Sequence, residues 1–223
     1  MMEFFQLLWL ALLTVVSAVH LVHSWRGDEK KRVYTKPLLL ILLIAYYVAS
    51  TKALSTTLIL ALATSWLGDV LLIPKGHGWF SAGGVSFMFT HFFLVVVYSE
   101  EIDFQLISWP LVAPIAVLYY GISAVVIYEL KPTTPKIMLI PMYFYLICNS
   151  TMNIFSLMLF ISLQSTASFV ALVGAILFFI SDCSLFLVEY YRNKNLLPKP
   201  RFVVMSTYII GEFLITQGVL MLE

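Results

Sequence analysis

Eight long stretches of this chain carry almost no charge, near residues 4–23, 37–51, 54–73, 84–98, 107–128, 137–163, 166–190 and 202–222. A helix needs about 20 apolar residues to cross the hydrocarbon core of a bilayer. The stretches therefore predict an all-α, polytopic membrane protein with eight transmembrane helices in one bundle. The second and fourth are short and extend into flanking residues. In 223 residues the eight leave only short loops and no linker, so residues 1–223 read as a single membrane domain. Composition excludes the alternatives: 61% of residues are apolar and 11% charged, with a mean hydropathy of +0.95. A soluble domain is nearer 45–50% apolar and about 25% charged, and a disordered chain lacks such hydrophobicity. A net charge of +1 offers nothing to nucleic acid. Cys148 and Cys183 both lie inside apolar runs, which argues against a disulfide framework.

The basic residues predict orientation. Arg26, Lys30, Lys31, Arg32, Lys36, Lys75, Lys131, Lys136, Arg192, Lys194, Lys199 and Arg201 fall in the odd-numbered loops, and only Lys52 falls in the even ones. By the positive-inside rule the odd loops face the cytoplasm and both termini lie on the other side. That orientation suits the endoplasmic reticulum and a bacterial inner membrane alike. Trp25, Trp79 and Trp109 sit at expected interfaces. Ser65-Trp66-Leu67-Gly68-Asp69 ends the third helix and Ser181-Asp182 lies late in the seventh, each Asp followed by Leu three residues on. The echo admits a duplication of two four-helix halves.

Three acids fall inside spans: Asp69, Asp182 and Glu212. Each costs on the order of 2.5–3.5 kcal/mol near a helix centre, so partners, a wet cavity or a function must account for them. At 1.5 Å per residue, Asp69 lies about 6 Å and Asp182 about 12 Å from the cytoplasmic ends of their helices. Tyr208 and Glu212 enter from the same side and, being i,i+4, share a face, as do Ser65 and Asp69. Tyr145, Asn149 and Asn153 form a polar stripe on the sixth helix, which should face the interior. His91 is mid-helix. These groups read either as glue between helices or as the lining of a site. Lys36-Pro37 is expected to open the second helix, which places Lys36 at headgroup depth for a phosphate contact. Gly76, Gly78, Gly83 and Gly84 suggest a tight turn before the fourth helix. His20 and His23 lack the further ligands a zinc site requires. No G-x-S-x-G elbow is present, which argues against a serine lipase.

At these positions the chain resembles the YhhN family of integral membrane proteins, which includes the lysoplasmalogenases. The matching pieces are Lys36-Pro37, then Gly68-Asp69 with Leu71-Leu72, then Gly83-Gly84 with Phe87 and His91. Gly174-Ala175 with Phe178, Ser181 and Asp182 follows, and Thr207-Tyr208 closes the set in order. One departure is Gly211-Glu212, where the family typically has Ala-Gln. The resemblance implies an eight-helix fold and hydrolysis of the vinyl ether bond of lysoplasmalogens. The substrate would be a lysophospholipid of the bilayer, the products a fatty aldehyde and glycerophospho-ethanolamine or -choline. No metal or other cofactor is expected.

That chemistry suits the residues. A vinyl ether is cleaved by protonating its outer carbon, after which water captures the oxocarbenium ion and the hemiacetal collapses to aldehyde. The reaction needs an acid that still holds its proton and an anion beside it, the two-carboxyl logic of glycosidases. Asp69 and Asp182 are the expected catalytic pair, converging closely enough to share one proton. Lys36, His91, Tyr145, Asn149, Ser181, Tyr208 and Glu212 are the expected substrate-side residues. Two other readings stand beside this one. A proton-coupled transporter or channel would also use intramembrane Asp, Glu and His, and a metal-dependent lipid amidase would need more histidines. No clear signal for an oligomeric state is present.

Overall fold

The computed structural model describes residues 2–193 and 196–223. Its elements run α1 (Met2–Arg26), α2 (Glu29–Ser50), α3 (Thr56–Leu71), α4 (His77–Glu101), a single 3-10 turn (Phe104–Leu106), α5 (Trp109–Leu130), α6 (Lys136–Leu163), α7 (Thr166–Tyr190) and α8 (Pro200–Leu220). Among the described residues there is no strand. Seven of the helices are long and apolar enough to cross a membrane. The exception is α3, whose 16 residues reach about 24 Å at the α-helical rise, short of the ~30 Å core. Ser55 caps its start by accepting from the Leu58 amide, which trims the expected span of 54–73. The chain is an integral membrane protein. Its large apolar side chains point outward as well as inward: Val117, Ile137 and Phe92 are among the exposed ones. Trp25, Trp79 and Trp109 are also exposed, close to helix ends.

Consecutive helices pair along the chain, α1 on α2, α3 on α4, α5 on α6 and α7 on α8. The centre is formed by α6, α7 and α8, while α1 and α5 lie at the periphery. The α7–α8 seam is backbone against backbone. A Cβ at Gly174 would stand 2.6 Å from the Ile215 amide nitrogen, and one at Gly218 would stand 2.6 Å from that of Ala171. Small residues permit this approach, and the Ser181 hydroxyl of α7 donates to the Val204 carbonyl of α8 beside it.

Two expectations are corrected. Pro37 does not open α2. Asp28 caps the helix by accepting from the Lys31 amide, and the helix starts at Glu29, so Pro37 lies inside it. The polar run 29–36 was long enough to look like a loop, yet Gly27, at φ 72°, turns the chain and a capped helix follows at once. Likewise the glycines after α3 do not make a loop. Only Gly76, at φ 125°, precedes α4; Gly78, Gly83 and Gly84 are helical. At Gly83 the missing Cβ leaves room for Leu72, whose side chain would lie 2.9 Å from it. Lys194, counted among the basic loop residues, lies outside the described residues.

Candidate functional site

A cavity of about 450 Å³ opens at the end of the bundle where α2 begins, α3 and α7 end and α8 begins. Lys36, Asp69, Ser181, Asp182 and Tyr208 are on its wall, with Phe80, Phe87, Leu185 and Met205 supplying apolar surface. Arg32, Lys75 and Arg201 also line it, three cations beside the two acids Glu29 and Glu189. The two intramembrane aspartates therefore face one chamber, each almost wholly shielded from solvent, Asp69 at 2% and Asp182 at 4% exposure.

Asp69 comes from the last turn of α3. Its Oδ1 pairs with Lys36 Nζ at 3.0 Å, and the same ammonium donates to the Asp69 backbone carbonyl at 3.3 Å. Its Oδ2 accepts from the Tyr208 hydroxyl at 2.9 Å. Tyr208 Oη is 3.0 Å from Ser65 Oγ, and Ser65 Oγ is hydrogen-bonded to Glu212 Oε1. The i,i+4 pairs Ser65/Asp69 and Tyr208/Glu212 thus interlock across the α3–α8 contact. Gly68 keeps this neighbourhood close, because a Cβ there would sit 2.6 Å from the Phe87 ring.

Asp182 belongs to a second cluster. Its Oδ2 is 3.2 Å from His91 Nε2 and accepts from Asn149 Nδ2 at 2.8 Å. Asn153 Nδ2 donates to Asn149 Oδ1 at 3.0 Å, which fixes the orientation of the Asn149 amide. His91 Nδ1 is buried and has no partner among the described residues, so the geometry places the ring proton on Nε2, facing the carboxylate. The His91 ring packs 5.3 Å from Tyr145 and 5.1 Å from Phe178. Phe178 also packs 5.6 Å from Tyr208 and so links the two clusters. The Ser181 hydroxyl donates to the Val204 carbonyl at 3.0 Å, an α7–α8 tie.

The structure alters three expectations. Asp69 and Asp182 share a chamber but not a hydrogen bond: among the described residues each carboxyl has its own partners. The reason is that α4 and α6 supply donors to one and α2 and α8 to the other. Lys36, expected to meet phosphate, is on the cavity wall and has its ammonium on Asp69, because α2 has already begun where Lys36 stands. His91, Tyr145, Asn149 and Glu212 do not line the cavity wall; the first three stand behind Asp182, and Glu212 stands behind Tyr208.

Sequence reading missed the basic mouth. Arg32 is one turn before Lys36 on the same face of α2, a spacing that could have revealed it. Its Nε is buried without a partner among the described residues. Arg201 and Lys75 both reach Glu29, at 3.8 Å and 3.4 Å. Among the described residues no three His, Cys, Asp or Glu side chains are grouped to hold a metal ion.

The sequence pattern of the YhhN family matches residues 31–219, nearly the whole chain. The chain belongs to the YhhN family. No curated protein and no solved structure matches it.

Proposed function

Starting from membership of the YhhN family, we propose that this chain is a membrane hydrolase that cleaves the vinyl ether bond of lysoplasmalogens. The observation that carries the reading is the placing of Asp69 and Asp182 on the wall of one buried chamber with a basic mouth. In this reading the headgroup phosphate lies at the mouth against Arg32, Arg201 and Lys75, and the alkenyl chain runs along Phe80, Phe87 and Met205. The mouth faces the cytoplasm, as the basic loops predict.

One aspartic acid gives its proton to the outer vinyl carbon. The π electron pair forms the new C–H bond, and the ether oxygen becomes part of an oxocarbenium ion. The other, ionised, aspartate faces that cation and takes a proton from the attacking water. The hemiacetal then expels the glycerol oxygen, which leaves as an alcohol, and the fatty aldehyde remains. His91 and Asn149 hold Asp182 in place, and Lys36 and Tyr208 hold Asp69.

Purified protein is given lysolipids with alkenyl, alkyl and acyl chains, and products are read by mass spectrometry. The expected result is fatty aldehyde from the alkenyl lipid alone, lost in Asp69→Asn and in Asp182→Asn. Equal turnover of the acyl lipid, or full activity in either folded variant, would overturn the reading.

A further inference from the structure

The two aspartates of the chamber differ in what neutralises them. Asp69 has a full positive charge at contact: Lys36 Nζ is 3.0 Å from Oδ1, and the same ammonium donates to the Asp69 carbonyl at 3.3 Å. The Tyr208 hydroxyl donates to Oδ2 at 2.9 Å. This carboxyl is an anion, held by charge-assisted hydrogen bonds. Asp182 has no such cation among the described residues. Its donors are neutral, the Asn149 amide at 2.8 Å and the His91 ring at 3.2 Å. A charged imidazole donates from both nitrogens, and His91 Nδ1 is buried without a partner among the described residues. The other titratable groups within electrostatic reach of Asp182 are Asp69 of α3, Tyr145 of α6, Cys183 of α7 and Glu212 of α8, none of them basic.

A carboxylate without a cation is costly to bury, and a second one facing the same chamber costs more. Asp182 avoids both costs by keeping its proton. The donors also fix where that proton sits. Both meet Oδ2, so the hydrogen belongs on Oδ1, the oxygen left to the cavity whose wall Asp182 lines. The chamber thus presents one neutral acid and one anion.

We infer that Asp182 is the acid that protonates the vinyl carbon, through Oδ1, and that Asp69 is the anion that faces the oxocarbenium ion. The inference rests on the reaction proposed above and deepens it by dividing the roles. His91 and Asn149 are positioning residues: they occupy Oδ2 and keep the proton on the oxygen that faces substrate. When Asp182 gives that proton up, the new carboxylate keeps both donors and has the oxocarbenium ion before it, so its charge is compensated. Asp69 takes a proton from the attacking water. As the hemiacetal collapses, its bond to the glycerol oxygen breaks with the electron pair going to that oxygen, which receives the proton held by Asp69. Asp182 takes the hydroxyl proton of the hemiacetal as the C=O bond forms. Both carboxyls end the turnover as they began it, and no proton has to be fetched from outside the chamber.

Infrared difference spectra locate the proton without any substrate. Wild type minus Asp182→Asn should contain a carboxylic acid C=O band that shifts in heavy water, and wild type minus Asp69→Asn a carboxylate band in its place. Turnover then tests the roles. Sodium formate should raise the kcat of Asp69→Gly about 10-fold, a part of the loss, since a small anion can sit against the Lys36 ammonium, and should leave Asp182→Gly inactive. His91→Phe should lower kcat on the order of 100-fold, the scale of lost acid catalysis, with unchanged Kd for lysolipid. His91→Gln, whose amide can donate from the place of Nε2, should recover most of that loss. A carboxylate band for Asp182, or formate rescue of Asp182→Gly in place of Asp69→Gly, overturns the assignment. Equal losses in His91→Gln and His91→Phe overturn the positioning role and make the ring itself the proton source. If both spectral differences appear and wild-type protein releases no aldehyde from any alkenyl lipid, the proposed reaction fails, and the protonation of the two aspartates stands.

Discussion

Removing Lys36 isolates one contact that the whole site depends on. The Lys36–Asp69 pair is 3.0 Å long, and its side chains are 13% and 3% exposed. At that separation and an effective dielectric of about 20, the direct attraction is on the order of 5 kcal/mol. Breaking a buried pair from one side costs roughly 3–5 kcal/mol, since the remaining charge stays buried without compensation. Lys36→Met should therefore destabilise the protein by about 3 kcal/mol or more, because among the described residues the Asp69 carboxylate then keeps only Tyr208. Asp69→Asn should cost less, since the freed Lys36 ammonium can extend towards the cavity mouth. The double variant Lys36→Met/Asp69→Asn leaves no charge at all and should recover part of the loss, because replacing both members of a buried pair is often near neutral. Unfolding of the four proteins in detergent, by titration with a denaturing surfactant, gives the coupling energy, expected at about 2 kcal/mol or more. Strictly additive losses would show that the two charges do not meet, and the placement of α2 against α3 would be wrong.

At the α7–α8 seam, Gly174→Val should abolish folded protein on size-exclusion chromatography, since even a Cβ would press on the Ile215 backbone at 2.6 Å; Gly121→Ala, with nothing within 4 Å, should be neutral. Arg32→Ala/Arg201→Ala should raise KM for a phosphate-bearing lysolipid about 10-fold or more, the scale of one or two lost charge-assisted hydrogen bonds, while an alkenylglycerol without phosphate is unaffected in the same kinetic assay.

Much of this architecture is legible in the amino-acid order, and the reasons it stops are physical. Apolar runs give the helices because a bilayer admits few other solutions, and an acid inside such a run signals itself by its cost. The faces shared by Ser65 with Asp69 and by Tyr208 with Glu212 follow from helical spacing alone. What spacing cannot supply is the rotation of one helix against another. Asp182 therefore met His91 and Asn149, and not Asp69, for reasons that only the packed bundle contains. At Lys36 the local signals conflict: Pro37 favours a first turn, but the Asp28 cap starts α2 at Glu29, and Lys36 meets Asp69 from within the helix. Arg32 does not stand out in the sequence, because it lies within a run of basic residues whose charge topology already explains.

The central claim is that a carboxylic acid in this chamber protonates carbon, and isotopic tracing of the product tests it most directly. Turnover of an alkenyl lysolipid is run in heavy water and in water enriched in heavy oxygen, with the aldehyde trapped at once by reduction. The account predicts one deuterium on the carbon next to the former carbonyl and an oxygen derived from water, with the glycerol oxygen unlabelled. An aldehyde without that deuterium, or a glycerol fragment whose oxygen came from water, would contradict it.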